Sequence, residues 1–314
     1  MVLALVPGTL FVAFALLLNP EAPRLPRHLN FSVGSLEGRG CPPANRGGAM
    51  TAAPRGGRLA EPKVLLDGLT MVESPRWHQG RLWFAHWGTA EIVAVDLDGK
   101  SEVVGQGPEG LGWTIDWLPD GRLLVTGEEL LCVEPDGSAA PYADLTEIGQ
   151  LGWNDIVVDG RGNVYVTSIA FDYLAGKPPD AGIIVLVTPD GRSRQVAGGL
   201  RFPNGMVVTP DNSTLIIGES FAGQLTAFDI DATGNLSNRR VWIAGLGPDA
   251  ICMDADGAIW ADTEDTRVST GRDDSPGGAV TRVLEGGREL NRVEHDRAIL
   301  GCTLGAPIVG RCSS

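Results

Sequence analysis

Residues 199–219 read GLRFPNGMVVTPDNSTLIIGE. Met206, Val207 and Val208 form one short apolar run, and residues 215–218 form a second. Between them lies Thr-Pro-Asp-Asn-Ser, a segment rich in turn formers. Two β-rich runs joined by a tight polar turn predict a β-hairpin. The polar residue that leads into the first run, Asn204, is the uncommon part. Read alone, Asn204-Gly205 marks a sharp turn.

The same layout recurs along the chain. ESPRWHQGRLWFA spans residues 73–85, TIDWLPDGRLLV residues 114–125, NDIVVDGRGNVYV residues 154–166 and DAICMDADGAIWA residues 249–261. Each copy has a polar lead residue, a short strand, a polar turn and a second strand. Further strand pairs fill the spaces between copies, at residues 91–104, 183–197 and 225–243. Four antiparallel strands per repeat describe a propeller blade, and no useful helical periodicity interrupts them. The fold class predicted is therefore all-β, a six-bladed β-propeller. A sixth blade would start near Ala298, but the chain has only residues 306–314 after its first strand. The last blade is expected to be incomplete, with an unpaired edge that invites aggregation.

The propeller is expected over residues 61–305, with an aberrant tail at 306–314. Residues 1–60 read as an N-terminal extension, an apolar segment followed by a linker rich in Pro, Gly and Arg that is expected to be disordered. The apolar segment reads as a signal peptide, an anchor or an upstream mis-start before Met50; the lack of a preceding Lys or Arg counts against the first, and a span short for a bilayer against the second. A cytoplasmic protein is the expectation. With 43% hydrophobic residues and 43 glycines, the composition suits a large core cut by many turns. A formal net charge of −14 disfavours nucleic acid as a partner. Among the five cysteines there is no CxxC pair; Cys132 and Cys252 sit inside apolar runs and read as core thiols.

Lead residues of propeller blades converge on the central axis. Glu73, Asn154, Asn204 and Asp249 could thus share one pocket although they are far apart in sequence. Two carboxylates and two amides are hard oxygen donors that suit a divalent cation. Trp113, Trp153, Asp172 and Glu219 are candidates for the pocket wall, with Ser168 beside them, and His78 and His86 are weaker candidates as ligands or bases.

The motifs ESPRW (73–77), WNDIVVD (153–159), FPNGM (202–206), LSNRRV (236–241) and PDAICMD (248–254) together resemble the senescence marker protein (regucalcin)/gluconolactonase/LRE-like family of six-bladed propellers. The resemblance implies that Glu73, Asn204 and Asp249 bind one divalent cation, Ca²⁺ first, with Zn²⁺, Mg²⁺ or Mn²⁺ as alternatives. It implies that Asn154 contacts substrate and that Asp249 is the catalytic acid/base. The implied activity is hydrolysis of sugar-acid lactones or related small esters, with the lactone as small-molecule partner. A non-catalytic Ca²⁺-binding or protein-interaction propeller, or an inactive truncated product, is the alternative. Two departures stand out. The family's Pro-Asp-Gly is Pro248-Asp249-Ala250 here, and no arginine occupies residues 149–152.

Overall fold

The computed structural model describes residues 2–6, 10–16, 63–134, 137–148, 152–173, 176–246, 248–263, 278–295 and 299–305. Strands β1 (Val2–Val6), β2 (Leu10–Leu16) and β3 (Lys63–Val64) precede the repeat. The repeat then folds as five four-stranded antiparallel blades, each starting at the axis. Their innermost strands are β4 (Val72–His78), β8 (Ile115–Trp117), β12 (Ile156–Val158), β16 (Pro203–Val208) and β20 (Ile251–Met253). The outer strands of the first blade are β5 (Arg81–His86), β6 (Glu91–Val95) and β7 (Ser101–Gln106). Later blades repeat that meander.

Alternation along each strand builds the core. Side chains of successive residues point to opposite faces of a blade, and both faces are covered by neighbouring blades. Val164 and Val166 of β13 (Val164–Ser168) pack toward the second blade with Leu124, Leu130 and Cys132. Tyr165 between them packs toward the fourth blade with Met206, Leu215 and Ile217. In β17 (Thr214–Glu219), Ile216 turns the other way and meets Ile251, Ile259 and Ala261 of the fifth blade. Burial on both faces is why these strands read as unbroken apolar runs rather than as polar–apolar alternation.

The repeat yields five blades rather than the six expected. The place next to the fifth blade is taken by a composite sheet, ordered β24-β2-β1-β3, whose strand β24 (Ile299–Gly305) lies against both β4 and β20. The inner strands thus follow one another around a closed ring. β24 pairs antiparallel with β2, from Phe11 opposite Gly305 to Leu16 opposite Ile299. The edge expected to be bare is therefore covered, by strands from a segment read as an extension. An apolar run that a strand can use has the same hydropathy as an anchor, which is why the sequence did not separate them. Residues 306–314 and most of 1–60 lie outside the described residues. Among the described residues, no helix is long and apolar enough to cross a membrane.

Hairpin turns use side chains as expected. Asn212, at φ 56°, accepts the Gly160 N–H at 2.7 Å, and Asn235 Nδ2 donates to Asp231. Both asparagines begin Asn-X-Ser/Thr triplets, and both amides are engaged in turn bonds.

Candidate active site

Asn204-Gly205 does not form a turn. It lies within β16, at a register shift between Pro203 and Met206 in the pairing with β17. The first blade has the same irregularity, between Glu73 and Arg76, with Ser74 at φ 52°. A bulge adds a residue to one strand and re-aims the side chains beside it. Glu73 and Asn204 are thereby buried at the axial end rather than spread on a blade face. Gly205 is needed for closeness rather than for a turn. A Cβ there would stand 2.6 Å from the Ala250 Cα and 2.8 Å from the Asp249 carbonyl oxygen. Its N–H donates to that same carbonyl at 2.7 Å.

The lead segments join in a chain of hydrogen bonds around the axis. The Ile115 N–H donates to Ser74 Oγ at 2.9 Å. Thr114 and Thr126 hydroxyls each reach the Asn154 carbonyl at 2.9 Å. Asn154 Nδ2 donates to Pro203 O and to Asn204 Oδ1, both at 3.3 Å. Asn204 Nδ2 in turn donates to Asp249 Oδ1 and lies 3.4 Å from Ser220 Oγ. Asp262 Oδ1 accepts the N–H groups of both Asp249 and Ala250, at 2.9 and 3.0 Å. Ala250 is not among the residues with left-handed φ, so the alanine in place of glycine is accommodated without strain.

Burial pushes the Glu73 carboxyl well above its ordinary range, and the nearby charge of Asp249 pushes it further. The Ser74 N–H, donating to Glu73 Oε2 at 2.7 Å, pulls the other way, and Asp155 and Asp262 add to the rise. One cation is already inside. Arg76 donates to Asp155 Oδ1 and to the Ile156 carbonyl, both at 3.2 Å. Burial works against its charge, but Asp155, Asp116 and Glu73 hold its pKa above the ordinary value. Asp116 is also pushed up by burial, against the pull of Arg76, and accepts the Val158 N–H at 2.8 Å. Arg76, Asp116, Asp155 and Asp262 were missed as parts of this centre. Arg76, Asp116 and Asp155 lie within the repeat copies, and polarity beside short apolar runs was the available signal.

Three sequence candidates, Asn154, Asn204 and Asp249, are thus joined through hydrogen bonds, and Glu73 is buried near enough for the Asp249 charge to push its carboxyl up. The remaining candidates do not join them. Trp113 and Trp153 are core residues between the first three blades, with 1% and 4% of their surface exposed, because apolar rings next to the lead positions fill inter-blade space. Asp172 is exposed on a loop. Glu219 is wholly buried and engaged elsewhere. It takes hydrogen bonds from Thr226 Oγ1 at 2.5 Å, the Arg201 N–H at 2.8 Å and Gln224 Nε2 at 3.1 Å, and pairs with Arg239 at 2.9 Å. Burial alone would raise its pKa, but these partners outweigh it and hold it below the ordinary value. Ser168 is buried and accepts the Ala170 N–H at 3.4 Å. His78 stacks on Trp117 with ring centroids 4.2 Å apart. His86 accepts the Thr70 N–H at 3.0 Å and contacts Thr89 Oγ1 at 2.8 Å, which occupies both ring nitrogens. Cys132 is a core thiol as expected; Cys252 is half-buried, its sulfur 3.5 Å from that of Cys302.

The donors at the centre are all oxygen on Glu73 and Asp249, and amide oxygen on Asn154 and Asn204. That chemistry fits a hard divalent cation. Among the described residues, no group of three or more His, Cys, Asp and Glu is placed to hold a metal ion, so the amides would have to complete the set. Asn204 would turn its amide by a half-rotation about one soft torsion, presenting Oδ1 where Nδ2 now meets Asp249.

Residues 71–308 match the family model described as the SMP-30/Gluconolactonase/LRE-like region. The chain belongs to this family. Among solved structures, it is similar to a gluconolactonase from Xanthomonas campestris at 22% identity and TM-score 0.61, covering 77% of this chain and 85% of that one. It is also similar to a calcium-binding protein, regucalcin, from Agrobacterium tumefaciens strain C58 at 20% identity and TM-score 0.58, covering 71% and 74%. A chain in a nidogen/laminin complex reaches 17% identity and TM-score 0.61, covering 78% and 89%. These likenesses establish the all-β propeller and leave chemistry to the site itself.

Proposed function

We propose that this family member is a divalent-cation-dependent hydrolase that opens lactones of sugar acids or related small esters. The observation that carries the reading is the convergence of Glu73, Asn154, Asn204 and Asp249 from four blades at one end of the axis. Glu73, Asn204 and Asp249 would hold the cation, with Ca²⁺ the first choice from the all-oxygen donors. When bound, the cation supplies positive charge that polarises a carbonyl and acidifies water. Asp249, half-buried and steadied through its backbone by Asp262, accepts the proton of the attacking water and returns it to the leaving alkoxide. Asn154 is positioned between two blades by Thr114 and Thr126 and offers its amide to the substrate. Arg76, locked to Asp155 beneath the cluster, offsets part of the negative charge there.

The test is hydrolysis of a lactone panel with Ca²⁺, Zn²⁺, Mg²⁺ or Mn²⁺ added in turn, then with chelator, alongside calorimetric cation titration. Asp249→Ala is expected to lose cation binding and hydrolysis together. Full activity in that variant, or in chelator, overturns the proposal. Cation binding without hydrolysis of any lactone or ester would instead support a binding propeller.

A further inference from the structure

Beside the four converging residues stands a cluster of rings that the hydrolase reading does not use. Phe202 and Phe221 stack with centroids 4.5 Å apart. Tyr173 meets Phe202 edge-on at 5.3 Å, and Phe171 meets Phe202 at 5.8 Å and Phe221 at 6.1 Å. Three separate segments bring these rings together, and each arises at the axial end of a blade. Phe171 and Tyr173 follow β13, whose partner strand β12 begins just after Asn154. Phe202 immediately precedes β16 and Asn204. Phe221 follows Ser220, whose Oγ lies 3.4 Å from Asn204 Nδ2 and donates to Pro248 O at 2.8 Å. The Ser220 N–H donates to the Phe202 carbonyl at 3.1 Å and ties the two segments to each other.

Two features set this cluster apart from core packing. It grades outward, from buried Phe171 through half-buried Phe202 and Phe221 to Tyr173, 46% of whose surface is exposed. Phe202 also adopts φ 56°, a left-handed backbone that a bulky side chain rarely takes. Such strain is retained where the surroundings fix a side chain for use. Aromatic faces and edges recognise apolar and aryl groups. Apart from the Tyr173 hydroxyl, the cluster carries none of the donors and acceptors that a polyhydroxylated ring requires, and a site made for hydroxyls discriminates through such groups.

We propose that Phe171, Tyr173, Phe202 and Phe221 form a wall that receives an apolar arm of the substrate, so that this protein prefers lactones or esters carrying an aryl or alkyl substituent over polyhydroxylated sugar lactones. The inference deepens the hydrolase reading and rests on it for the position of the reacting carbonyl. The wall itself can be tested without catalysis. Phenyl-substituted δ-valerolactam and gluconolactam, which resist hydrolysis, serve as probes for calorimetry on the full chain with Ca²⁺ present. The matched lactones serve as substrates under the same conditions.

The phenyl lactam is expected to bind at least tenfold more tightly than gluconolactam, on the order of what an apolar pocket gives for one added group. Tyr173→Ala and Phe221→Ala are each expected to lower the ratio of the two affinities several-fold, and Phe221→Leu to recover part of it. Tyr173 is exposed, so its variant is expected to fold, and a thermal melt checks this. Equal binding of the two lactams, or an unchanged ratio in both alanine variants, overturns the proposal. Selective phenyl-lactam binding with no lactone hydrolysed keeps the wall and overturns the hydrolase reading. Hydrolysis confined to gluconolactone does the reverse.

Discussion

Replacing Gly205 with alanine tests the close approach on which the site depends. The added Cβ would stand 2.6 Å from the Ala250 Cα, 2.7 Å from the Ile251 nitrogen and 2.8 Å from the Asp249 carbonyl oxygen. All three are backbone atoms of the next blade, so no rotamer change relieves the contact. Blades four and five must separate by roughly an ångström to restore ordinary contact distances. That separation loosens the 2.7 Å bond from the Gly205 N–H to Asp249 O. Overpacking costs about 1–3 kcal/mol, and a weakened buried hydrogen bond adds about 1 kcal/mol. A total near 3 kcal/mol lowers Tm by about 6–12 °C for a domain of this size. Gly110→Ala is the control. Gly110 has φ 98° but no atom within 4 Å of its Cβ position, so it reports backbone conformation alone, about 1 kcal/mol. Calorimetric melts of both variants give the comparison, and cation titration of Gly205→Ala is expected to show weakened affinity. A Gly205→Ala variant melting within a degree of the parent would refute the reasoning.

Further perturbations address other parts of the ring. Glu219→Gln is expected to destabilise by about 2 kcal/mol at neutral pH, since it removes the charge that four donors engage. Because the folded pKa of Glu219 lies below its ordinary value, its contribution is full above the usual carboxylate pKa and fades as pH falls through the folded one. Denaturant melts at neutral and acid pH should show the gap between parent and variant closing in acid, and a gap that widens there would contradict the assignment. Arg76→Met is expected to cost about 3 kcal/mol by leaving Asp155 buried without its cation, and Arg76→Met/Asp155→Asn should recover part of that loss. Strictly additive losses would show that the two side chains do not interact. A chain begun at Met50 lacks β1 and β2 and so bares β24; scattering should show more association and a lower melting temperature than the full chain. An unchanged, monomeric shortened chain would show that those strands contribute nothing.

The repeat was legible because each blade reuses one pattern: a polar lead, an apolar strand, a Pro-Asp-Gly-like turn and a second strand. Convergence of Glu73, Asn154, Asn204 and Asp249 followed from propeller geometry once the repeat was seen. Local conformation was less legible. Asn204-Gly205 reads as a turn by composition, yet Gly205 is small because another backbone passes close by, a tertiary fact absent from local pattern. Trp113 and Trp153 adjoin lead residues in sequence, but alternation turns them into the inter-blade core. Glu219 ends a strand at the axial end, and only the fold reveals that Arg239 and Thr226 claim it. The closing strands β1 and β2 carry no trace of the repeat, so hydropathy was the sole signal and it did not distinguish a strand from an anchor.

β24 sits between the first and last blades and takes its partners from the opposite end of the chain. The ring is therefore fastened like a clasp, by segments that precede and follow the five blades in sequence. Blades pack on their neighbours through local contacts as the chain lengthens, but Glu73 and Asp249 meet only when the clasp shuts. Contacts so distant in sequence form late and at high entropic expense. The cluster at the axis is thus an indicator of completed folding: opening at the seam would scatter its side chains while individual blades kept their sheets. Amide protection near β24 and cation affinity at the axis should then rise and fall as one.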